Sequence, residues 1–133
     1  MAPDVYLRKL TYLRQLLADL EPYRQATLAE VEAEHYKLER LIELLVMTAS
    51  DLLRHLLAGR GFTPVTYRDT FYQAGEQGII PTDLAERLQK AAGMRNILVH
   101  LYERIDLEIL HTSLAPAYED FTRFVEVLES GED

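Results

Sequence analysis

Cysteine is absent from this 133-residue chain, which excludes a disulfide framework, a thiolate zinc site and a cysteine nucleophile. No apolar run approaches the roughly 18 residues that a membrane span needs, and no basic segment followed by a long apolar stretch opens the chain. The expectation is a soluble, cytoplasmic protein with no membrane association. β-branched runs of period two are missing, so strands are not expected. The sequence has no glycine-rich phosphate loop and no two histidines at metal-ligand spacing, so neither cofactor nor metal is expected. Positive charge is scarce too. Fourteen basic residues against 22 acidic ones leave a net charge of −8, which argues against coating nucleic acid through a broad basic surface. A small local contact, or basic residues gathered where two subunits meet, remains compatible with that balance.

What is present is helical periodicity, in a length that suits one domain over residues 1–133, able to bury about two-thirds of its unfolded surface. Tyr6, Leu10, Leu13, Leu17 and Leu20 form one stripe of a first helix, with Pro3 near its start and Glu21-Pro22 at its end. A second helix is expected from near Pro22 or Tyr23 to Ala58, with a frayed or separate first part over the mostly polar stretch from Arg24 to Glu34. Gly59 and Gly61 close it. Beyond its main stripe this helix carries extra apolar residues, Leu41, Leu44, Val46, Met47, Leu53 and Leu57. They suit a central helix packed on several sides, a subunit interface, or both. Thr66 is expected to cap a short helix from about Tyr67 to Glu76, ended by Gly78, and Thr82 to cap the next. A last helix, capped by Asp106, should reach about Glu129, with a kink or break near Ser113 imposed by Pro116. The fold class is therefore all-α, an antiparallel bundle of four main helices plus a short one.

The stretch least like helix filler runs from Gly93 to Tyr102. At about 100° per residue, Met94, Ile97, Leu98 and Leu101 share a face and should point into the core. Asn96 and His100, four apart, are neighbours on one flank, close enough for the amide to hydrogen-bond the imidazole. Arg95 and His100 lie roughly 140° apart around the axis. They converge on one atom only if the helix loosens, or if a second copy faces the first across a two-fold axis. Arginine offers a permanently charged fork suited to phosphate, and histidine a proton donor and acceptor near neutral pH. Together they suit phosphodiester chemistry on RNA, whose own 2′-hydroxyl supplies the nucleophile. The alternative is a solvated arginine beside a structural histidine. On the second helix, Thr48, Asp51 and His55 form a polar row, which is either a solvated face or one that sets Asp51 beside the Arg95-His100 pair to orient one of its groups.

The run Arg95-Asn96-Ile97-Leu98-Val99-His100-Leu101-Tyr102 resembles the Arg-x4-His-x-Tyr motif of HepT-like toxins in the HEPN ribonuclease superfamily. Tyr67 to Gly78, Ile79-Ile80-Pro81 and Tyr102-Glu103-Arg104-Ile105-Asp106 resemble the same family's middle and closing segments, and Met94 stands where that pattern would have an aromatic. The resemblance implies a HEPN-like homodimer and a metal-independent endoribonuclease toxin of a toxin-antitoxin pair. In that reading Arg95, Asn96 and His100 are catalytic, and Asp51 supports the site. Tyr102 is where an MntA-like minimal nucleotidyltransferase antitoxin attaches AMP. A reading from another class is a non-catalytic helical substrate-binding or docking partner of a nucleotidyltransferase, for which an intact Arg95, Asn96, His100 set would be unnecessary. A helical dimer without chemistry is the third.

Overall fold

The computed structural model describes residues 3–100 and 107–131, and for Val99 and His100 the backbone alone. Among these residues there are six α-helices and no strand: α1 Pro3–Leu20, α2 Leu28–Ala33, α3 His35–Ala58, α4 Tyr67–Glu76, α5 Thr82–His100 and α6 Leu107–Ser130. A 3₁₀ turn, Glu21–Tyr23, follows α1. The all-α expectation holds.

The leucine stripe of α1 is buried at Leu10, Leu13, Leu17 and Leu20. Of the two expectations for the stretch before the long helix, frayed or separate, the separate one holds, as α2. The hydroxyl of Thr27 accepts from the Glu30 backbone N–H, while the Glu30 carboxylate accepts from the Thr27 N–H at 3.0 Å. This reciprocal cap starts a helix in its own right. Glu34, at φ −115° and ψ 21°, separates α2 from α3. His111 on α6 donates from Nε2 to the Ala26 carbonyl at 2.7 Å, tying the approach to α2 against the bundle.

Helix α3 is the central element, in contact with α1, α4, α5 and α6. Of its extra apolar residues, Leu41, Val46, Leu53 and Leu57 are buried, as several-sided packing requires, whereas Leu44 and Met47 are half-buried. At its C-terminus Gly61, not Gly59, takes the left-handed conformation, at φ 87°, and the Phe62 N–H reaches back to the Leu57 carbonyl at 3.0 Å. Thr66 caps α4 as expected, its hydroxyl accepting from the Asp69 N–H at 3.0 Å. Gly78, at φ 69°, ends it. Thr82, by contrast, is the first residue of α5; the Pro81 carbonyl accepts the opening bond, from the Ala85 N–H.

Pro116 does not break α6, which runs through it. The bond lost to the Thr112 carbonyl falls where the Thr112 and Ser113 hydroxyls already bond carbonyls of the preceding turn, and the α6 core stripe of Phe121, Phe124, Val125 and Leu128 keeps the helix seated. Asp83 with Arg123 and Arg87 with Asp120 tie α5 to α6 in antiparallel order, and Lys9 with Asp51 does the same for α1 and α3. The expected cap at Asp106 lies outside the described residues.

Candidate functional site

Helix α5 carries Arg95 to a shallow pocket of about 300 Å³ lined by Tyr36, Glu39, Arg40, Glu43, Arg95 and Leu98. Two carboxylates face the arginine there, and both are already engaged. Glu39 accepts from His35 Nδ1 at 2.7 Å, and Glu43 pairs with Arg40. Among the described residues no carboxylate lies within ion-pair distance of Arg95. Its guanidinium sits instead over the ring of Tyr67, 5.0 Å from the centroid. Nη1 donates to the Asn96 side-chain oxygen at 3.2 Å, and Nε is buried with no acceptor. Held by a ring face and one amide, the arginine keeps a full positive charge that an anion can meet.

The structure brings together Arg95 and Asn96, whose side-chain oxygen accepts from Arg95; the bond expected between Asn96 and His100 lies outside the described side chains. His100 is the last residue of α5, and the backbone is helical up to it. The loosening that would swing Arg95 and His100 together within one chain is therefore absent from residues 95–100. Tyr102, the expected modification site, lies outside the described residues, as does Leu101.

The Asp51 carboxylate lies 3.5 Å from Lys9 Nζ, on the side of α3 that faces α1. The expectation that the motif's apolar side chains all enter the core also needs correction. Leu98 is buried and Met94 packs against the core, but Ile97 is 44% exposed. The motif's apolar positions do not all fit the sector that the neighbouring helices cover, and Ile97, about 200° around the helix from Arg95, projects beyond it.

Sequence reasoning missed Tyr67 and Arg54 as parts of this neighbourhood. Arg54 lies over the same ring, 5.4 Å from its centroid, and donates to the Val65 carbonyl at 2.7 Å and to the Thr70 hydroxyl at 3.2 Å. Only the packing of α3, α4 and α5 unites these residues, and no local motif announces it. A groove of about 720 Å³, lined by residues including Tyr6, His55, Arg60 and Val127, opens at the other end of α3, with neither Arg95 nor Asn96 in its lining. No group of three or more His, Cys, Asp or Glu side chains among the described residues is arranged to hold a metal ion. No helix there is long and apolar enough to cross a membrane.

The chain is similar to known proteins in sequence and in fold. A family model described as ribonuclease HepT-like matches residues 9–128. A protein of Archaeoglobus fulgidus, provisionally named as an RNase, is 32% identical over 97% of this chain and 94% of its own length. The mRNA nuclease HepT of Shewanella oneidensis is 30% identical over 70% of this chain and 68% of its own. A solved structure described as the tri-AMPylated Shewanella oneidensis HEPN toxin in complex with MNT antitoxin superposes with a TM-score of 0.84, covering 97% of this chain and 99% of that one at 20% identity.

Proposed function

The chain belongs to the HepT-like ribonuclease family, and from that premise we propose that it is an endoribonuclease toxin that cuts RNA without a metal and is silenced by a partner nucleotidyltransferase. The observation that carries this reading is the uncompensated charge of Arg95, poised on Tyr67 while both nearby glutamates are paired with other bases. Arg95 binds the scissile phosphate and stabilises the charge that builds on it. His100 takes the proton of the 2′-hydroxyl as its oxygen bonds to phosphorus, and returns a proton to the 5′-oxygen as the bond from phosphorus to that oxygen breaks. The products are a 2′,3′-cyclic phosphate and a free 5′-hydroxyl. Asn96 restrains Arg95 through its oxygen and keeps its NH₂ for His100, one turn further on.

A homodimer completes the site in this proposal. The helix is regular up to His100, which keeps Arg95 and His100 roughly 140° apart within one chain. Pairing across a two-fold axis lets the arginine of one copy work with the histidine of the other. Exposed Ile97 and Tyr36, the latter on the rim of the Arg95 pocket, supply apolar surface for that contact.

Regulation rests on Tyr102. A solved relative is described as tri-AMPylated and bound to its antitoxin, and Tyr102 occupies the tyrosine position of the motif. AMP attached there brings a negative phosphodiester to the neighbourhood of Arg95, competing with RNA.

The test is RNA cleavage in EDTA, with analysis of the ends produced. Arg95→Ala and His100→Ala should each lower the rate at least about a hundredfold, and DNA should survive. Activity that is lost in EDTA and restored by a divalent ion overturns the mechanism. Co-expression with the partner should add one or more AMP units to the intact mass, mapped to Tyr102 by fragmentation. Complete silencing of Tyr102→Phe would replace modification by simple masking.

A further inference from the structure

Two guanidinium groups meet one aromatic ring in this molecule, those of Arg54 and Arg95 on Tyr67. Arg54 is firmly anchored. It bonds the Val65 carbonyl just before α4 and the hydroxyl of Thr70, which is fully buried and itself donates to the Thr66 carbonyl at 2.7 Å. The first turn of α4 is thereby fastened to α3, and the Tyr67 ring stands in a fixed place against the core. Among the described residues Arg95 has far less to fix it: one bond to a neighbouring, exposed amide, and a buried Nε that nothing accepts from.

We propose that Tyr67, fastened in place through Arg54, is the positioning residue for Arg95, holding the plane of its guanidinium so that the N–H edge meets the scissile phosphate of RNA. This rests on the ribonuclease reading and deepens it. An aromatic face suits the task better than a carboxylate does. A carboxylate would occupy the same N–H edge that phosphate uses and would cancel the charge. The ring attracts the cation through its face, so it takes up none of the N–H donors and leaves the charge intact. Positioning of this kind acts on the reacting geometry more than on the grip on substrate, so its loss should appear in kcat rather than KM.

The experiment compares Tyr67→Leu and Tyr67→Phe, each alone and combined with Arg95→Ala, in single-turnover and steady-state cleavage of one RNA. Tyr67→Leu should lower kcat about three- to thirtyfold, the range of a cation-π contact from partly exposed to desolvated, with KM changed by less than about twofold. Tyr67→Phe should recover most of that loss, because the ring is kept. On the Arg95→Ala background, Tyr67→Leu should add nothing. A loss of equal size with and without Arg95 would overturn the proposal, as would an unchanged rate in Tyr67→Leu. Should Tyr67→Leu fail to fold, phenylalanines of increasing fluorination at position 67 keep the shape while draining the ring's negative face. The rate should then fall step by step, and a flat series would overturn the proposal. The two readings fail separately. Full activity in Arg95→Ala removes the ribonuclease assignment of the site, whereas an inactive Arg95→Ala beside an unaffected Tyr67→Leu removes only the role of Tyr67.

Discussion

A Cβ atom placed on Gly75 would lie 2.6 Å from the Cβ of Ala85, so α4 and α5 touch there more closely than any side chain allows. The same antiparallel pairing lays Arg68 against Gly93 and, at its far end, Tyr67 against Arg95. Gly75 thus bears on the site from more than two turns away. Gly75→Ala should destabilise the fold by about 1–3 kcal/mol, the usual cost of overpacking, and Ala85→Gly in the same chain should recover part of it. Gly93→Ala is the contrast. Its Cβ meets only the tip of the Arg68 side chain, which can move aside, and alanine is the better helix former. Chemical denaturation should therefore find Gly93→Ala neutral or slightly stabilising.

Ile97 is exposed on the motif helix, and the proposed dimer gives it a partner. Ile97→Glu should leave the circular dichroism and melting of the helical fold nearly unchanged while converting a dimer into a monomer in sedimentation. Cleavage should fall with dimerisation and return when monomer concentration is raised. A parent chain that sediments as a monomer would refute the shared site.

The Asn96 oxygen that accepts from Arg95 belongs to a neutral group. Asn96→Asp keeps the shape and adds a charge, creating a local ion pair that competes with phosphate. Cleavage should fall at least about tenfold, with weaker RNA binding, whereas Asn96→Ser should lose less. Equal losses in the two variants would show that Asn96 acts through His100 alone.

Asp83 is held below the ordinary carboxylate range, first by its hydrogen bond from Arg123 and then by the charge of that residue. A carboxyl with a depressed folded pKa contributes stability above its unfolded value, about 3.9, and loses it as pH falls through the folded value. Asp83→Asn should therefore melt below the parent at neutral pH, with the two melting curves converging as pH drops below about 4. A gap that persists in acid would mean that the charge is not its source.

Much of the fold was legible locally. The stripe of α1, the Thr66 cap and the turn at Gly78 each depend on residues within a few positions of one another, and hydrogen bonding and side-chain spacing along a helix operate over that range. The separate α2 was also written in the chain, in the Thr27-x-x-Glu30 pattern that closes the capping box. The motif residues Arg95, Asn96 and His100 could be named from their order alone. Tertiary structure decided which of them have neighbours, and of what kind. It covers Leu98 but not Ile97, seats Asp51 against Lys9, carries α6 unbroken through Pro116, and sets Arg95 over a tyrosine from another helix. Those outcomes depend on the distance and angle at which helices far apart in sequence pack. Small contacts such as Gly75 on Ala85 set that distance, and no single segment of the chain contains it.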